Sequence, residues 1–119
     1  MDIDAQAKAQ SDRAAEAIAA ADEVIFICLP VLIEAVWVMS RRYKISRQGV
    51  ALVLRRLCAH RGVQIQSGTT VERAADAYEK GTADFADLLI AALNGDAECR
   101  TTLTFDKRAA RHAHFTLLA

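Results

Sequence analysis

The run Val24-Ile25-Phe26-Ile27-Cys28-Leu29 leads straight into Pro30 and a second apolar stretch, residues 31–39. An unbroken apolar run with β-branched content reads as a strand buried on both faces, as in parallel sheets. Pro30 then suits the first turn of a helix, where its missing N–H is no loss. Residues 31–43 follow as a helix that is apolar almost all round, and such a helix is expected to be largely buried. A buried strand feeding a buried helix is the unit of an α/β layer fold.

The rest of the chain repeats the alternation. Residues 5–21 are good helix formers with Ile18 as the only large apolar side chain, so that helix has a thin inner face. Ser46 is placed to cap a helix over 47–61, with Gly62 as its stop. Residues 63–66 alternate as a short strand. Thr69 and Glu72 have the spacing of a capping box opening a helix that runs to Lys80, before Gly81. Residues 83–93 form another helix, ended by Asn94-Gly95. Strands are expected at 101–105 and 115–118, with one helical turn at 107–111. Right-handed crossovers would align the strand C-termini along one edge, where ligand sites of such folds gather.

Composition removes several functions. The chain has 119 residues, one domain's worth, with 15 basic and 15 acidic side chains. Zero net charge argues against binding nucleic acid by bulk charge, though not against a local patch. No apolar run approaches the roughly 18 residues of a membrane span. Met1-Asp2-Ile3-Asp4 is unlike a signal peptide. Cys28, Cys58 and Cys99 are odd in number and widely spaced, which fits a reducing cytoplasm better than a disulfide framework or a zinc site. Cys28 is expected to be an inert core thiol.

Acidic residues carry the chemistry. Glu34 is the only acid in 24–39, one turn past the first strand. Asp84 and Asp87 share a face at a helix start, and Asp106 directly follows a strand. Each has a plain structural alternative: a rim position or a pair with Arg41 for Glu34, helix capping for Asp84 and Asp87, a turn for Asp106. All are expected at the C-terminal edge of one sheet. Carboxylates so gathered repel unless a cation lies between them. Oxygen-only donors suit Mg²⁺ or Mn²⁺, which can activate water against a phosphodiester.

The ordered set Pro30-Val31-Leu32-Ile33-Glu34, Ala83-Asp84-Phe85-Ala86-Asp87-Leu88-Leu89-Ile90-Ala91-Ala92 and Thr104-Phe105-Asp106 resembles PIN-domain proteins, specifically the VapC-type toxins of type II toxin–antitoxin systems. The resemblance implies a PIN-like three-layer α/β/α domain over 1–119 with a mostly parallel sheet. It also implies a Mg²⁺- or Mn²⁺-dependent endoribonuclease, a homodimer and an antitoxin partner. By carry-over, Glu34, Asp87 and Asp106 are the metal ligands, with Asp84 assisting them in catalysis. The family's first, central strand ends in an Asp. Asp2 and Asp4 stand too close to the first helix for a strand to carry them, so that strand and its acid are expected to be absent, leaving apolar edges on its neighbours. The alternative function is a catalytically impaired module that pairs with an antitoxin or another PIN protein.

Lys107, Arg108 and Arg111 are candidate RNA contacts, as are Arg41, Arg42, Lys44 and Arg47; for each, a solvated face or a salt bridge is the competing account. His112 and His114 are expected at the surface. Trp37 and Phe105 are expected in the core, and with only seven aromatics in total a base-stacking platform is not supported.

Overall fold

The structure, a computed structural model, describes residues 3–20 and 22–118. Asp2 and Ala21, the latter expected to end the first helix, lie outside the described residues. In chain order the elements are α1 (Ile3–Ala19), β1 (Ile25–Ile27), α2 (Leu29–Trp37), α3 (Arg47–Ala59), β2 (Val63–Ile65), α4 (Gly68–Lys80), α5 (Phe85–Asp96), β3 (Thr102–Thr104) and β4 (Phe115–Leu117). A π-helical turn, Val38–Arg42, continues α2, and a 3₁₀ turn, Ala109–Arg111, precedes β4.

The fold is α/β with parallel pairing, as the alternation implies. Its strands form two separate pairs rather than one sheet. β1 pairs with β2 with Ile25 opposite Val63, and β3 pairs with β4 with Thr102 opposite Phe115. Leu32, Val50, Leu54, Val71 and Leu89 are fully buried, joining α2, α3, α4 and α5 in one helical core. Each such side chain contributes roughly 1.5–3 kcal/mol by leaving water.

Several expectations are corrected. The first strand is not buried on both faces. Ile25 and Ile27 pack on the core, whereas Val24 and Phe26 are exposed, because a two-stranded sheet covers one face only. Similarly, α2 buries Leu32 and Val36 but leaves Val31 exposed. Trp37 is 59% exposed and Phe105 is 82% exposed, so neither belongs to the core. Cys28 is half-buried at the N-cap of α2.

Local signals held unevenly. Ser46 caps α3 by accepting from the Gly49 N–H at 3.0 Å. The Thr69–Glu72 capping box does not form, because α4 already begins at Gly68 behind a left-handed Ser67. α3 stops at Ala59, ahead of Gly62. Gly62 serves a close approach instead: a Cβ there would meet Ile18 Cγ2 of α1 at 2.8 Å. α5 runs through Asn94-Gly95 to Asp96, tertiary contact outweighing the stop signal.

Candidate functional site

The N-terminus of α5 is built by a break and a clamp. Residues 81–84 separate α4 from α5, and Asp84 takes the extended N-cap position with no side-chain cap bond. Buried Ala83 and Phe85 hold either side of it in the core. Arg47 of α3 ties the break down. Its Nε donates to the Tyr78 carbonyl and its Nη2 to the Ala83 carbonyl, both at 2.6 Å. The guanidinium also lies 3.8 Å from the Tyr78 ring centre, and Tyr78 meets Phe85 edge-on at 6.0 Å. Arg47 is thus a strut, which takes it out of the phosphate-binding candidates.

Asp84 and Asp87 line one cleft together with Thr82, Ala83, Arg108, Arg111 and His112. Asp87 is half-buried, and burial raises its pKa first; the Asp84 and Asp106 carboxylates raise it further, and His112 opposes them. The positive end of the helix dipole favours an ionised Asp there. Desolvation and two like charges overcome it. Asp106 is exposed and doubly engaged. Its Oδ1 accepts from the Arg108 N–H at 2.8 Å, the turn role open to it from sequence, and its charge still reaches Asp87.

Glu34 does not join this cleft. It is exposed on α2 and lines a neighbouring cleft with Pro30, Ile33 and Trp37. Ile33 and Trp37 also wall a cleft containing Arg41 and Asp84. Arg41 approaches Asp84 at 4.0 Å rather than pairing with Glu34. Of the basic candidates after Asp106, Arg108 and Arg111 line the Asp87 cleft, and exposed Lys107 is outside its lining.

Among the described residues, no three His, Cys, Asp or Glu side chains converge as a group able to hold a metal. The donors present are the Asp84–Asp87 pair with Asp106 at its margin. That set fits a hydrated hard cation, since Mg²⁺ keeps several waters and commonly takes only one or two carboxylates plus substrate phosphate. A cation would also relieve the repulsion that lifts the Asp87 pKa.

Sequence reasoning missed His112 and the Arg47 strut. His112 is half-buried against the carboxylates rather than a free surface histidine. Its signal was its place six residues beyond Asp106, past the turn that brings the chain back to α5. Nothing in the pattern around Arg47 announces its two carbonyl partners. His114 lies elsewhere, its carbonyl accepting from the Thr102 N–H.

In comparison with known proteins, the family model described as PIN domain matches residues 5–115 of the chain. No curated protein and no solved structure matches it. No helix among the described residues is long and apolar enough to cross a membrane.

Proposed function

The chain belongs to the PIN domain family, a superfamily of nucleases that generally bind divalent metal ions, and on that premise we propose a Mg²⁺- or Mn²⁺-dependent endoribonuclease of the VapC toxin type. The reaction is hydrolysis. Water adds to phosphorus and the bond from phosphorus to one ribose oxygen breaks. The single observation that carries this reading is the cleft in which half-buried Asp87 stands with Asp84, Arg108 and Arg111, where burial and the Asp84 and Asp106 charges raise the Asp87 pKa. Carboxylates whose pKa is raised by burial and like charges in a cleft mark candidate sites.

A bound divalent ion supplies positive charge against the phosphate and lowers the pKa of water. Asp84 and Asp87, at the start of α5, would hold that ion, with the Asp106 charge nearby assisting them. Glu34 lines a separate cleft beside Trp37 and is left outside this group. Arg108 and Arg111 hold the scissile phosphate, and Lys107 adds charge outside the cleft. In this reading the protein works in the cytoplasm as a homodimer, and an antitoxin blocks the cleft.

Asp87→Asn is expected to abolish Mn²⁺ binding by titration calorimetry and to reduce RNA cleavage at least 100-fold, about 2.7 kcal/mol of barrier. Unchanged metal-dependent cleavage in that variant would end the assignment. The separation of Glu34 from Asp87 favours a second reading, a PIN-like module that binds an antitoxin and cleaves nothing. That reading requires tight antitoxin binding by a protein that takes up no Mn²⁺.

A further inference from the structure

Trp37 is the only tryptophan of the chain, and more than half of it faces solvent. An aromatic of this size normally buries 150–250 Å², so its exposure calls for an occupant. The helix that carries it is fixed, because Leu32 and Val36 on its other face are buried in the core. The indole walls a cleft of about 170 Å³ whose apolar sides are Ile33 and Phe85 and whose polar groups are Ser40, Arg41 and Asp84. That volume lies below the roughly 300–1,000 Å³ of pockets for drug-sized ligands, and suits one planar ring system.

The surroundings choose the occupant. Asp84 lines this cleft and also the Asp87 cleft, so the two adjoin. Arg41 lines the Trp37 cleft itself, and Arg108 and Arg111 line the adjoining Asp87 cleft. Arginines in both clefts complement a polyanion, and the π-face of an indole stacks any base. We propose that Trp37 and Arg41 form a nucleobase subsite, which stacks one base of single-stranded RNA next to the phosphodiester held at Asp87. This rests on the nuclease reading for the identity of its substrate.

Trp37 being the only indole, its fluorescence reports the subsite directly. The titration uses the full chain in EDTA, so that nothing is cleaved, with single-stranded oligoadenylate and with an abasic ribose-phosphate strand of equal length. Oligoadenylate should quench the emission saturably, and the abasic strand should bind weakly and leave it unquenched. Trp37→Ala should weaken oligoadenylate binding roughly tenfold, the low end of 1–3 kcal/mol per stacked base, and Trp37→Phe by under about threefold. Equal quenching by the abasic strand, or unchanged affinity in Trp37→Ala, overturns the subsite. A blue shift that grows with protein concentration in the absence of RNA also overturns it, since a second copy then covers the indole. If Trp37→Ala fails to fold, the wild-type quenching contrast and Trp37→Phe still decide. Quenching without any Mg²⁺-dependent cleavage supports the subsite and sinks the nuclease reading. Cleavage without quenching does the reverse.

Discussion

The two ends of α5 carry aspartates in opposite states. At the C-terminus, Asp96 sits where the helix dipole disfavours a carboxylate, yet its pKa is lowered. Thr70 donates its hydroxyl to Oδ2, and Arg73 donates to Oδ1 at 2.6 Å and to Oδ2 at 2.8 Å. At the N-terminus the dipole favours Asp87, yet its pKa is raised by burial, Asp84 and Asp106. Local partners outweigh the dipole at both ends. One end is a satisfied structural joint between α4 and α5. The other gathers like charges that His112 and Arg41 offset only in part.

The contrast can be broken at several points. Arg47 holds the N-terminal end, so Arg47→Met should cost roughly 2–4 kcal/mol in urea unfolding, from two charge-assisted hydrogen bonds and a cation–π contact. Arg47→Lys should recover less than half, because an ammonium cannot reproduce the planar fork. Wild-type stability in Arg47→Met would mean that the break before α5 is held by Ala83 and Phe85 alone. At the other end, Thr70→Val removes the buried hydroxyl from Asp96 and should cost about 1 kcal/mol, leaving cleavage unchanged.

The smallest effect concerns pH, and its sign differs between the ends. A raised carboxyl pKa favours the folded state below the unfolded pKa, and that contribution is lost as pH rises through the folded value. Asp87→Asn should therefore be slightly more stable than wild type at neutral pH, by under about 0.5 kcal/mol after solvent screening, with the gain vanishing at acid pH. Asp96 is the converse. Its contribution is present above its unfolded pKa and lost as pH falls through the lowered folded value, so Asp96→Asn should be less stable at neutral pH and converge with wild type in acid. Thermal melts across the carboxylate range measure both. Parallel curves for wild type and Asp87→Asn at every pH would show that the repulsion at the N-terminal end is fully screened.

Much of the fold was legible. Continuous apolar runs marked β1 and α2, and Ser46 marked the start of α3, because burial and capping act over a few residues. Asp84 and Asp87 were legible as a pair because three residues is nearly one helical turn. Exposure was not legible: Val24, Phe26 and Phe105 face solvent at or beside two-stranded pairs, which cover one face only, and Trp37 faces solvent because α2 buries the side that carries Leu32 and Val36. Glu34 was legible as an isolated acid, but its cleft was not, since this follows from how α2 lies beside α5.

By itself, the sequence determined the order of helices and strands, their parallel pairing, and which acids stand at element starts, since propensity, periodicity and capping operate within one or two turns. Only the tertiary structure decided that the charges of Asp106 and His112 reach Asp87, that Arg47 spends its guanidinium on backbone carbonyls, and that the single tryptophan stands in water. Those outcomes depend on contacts between segments far apart in the chain, where charge, desolvation and shape act through space.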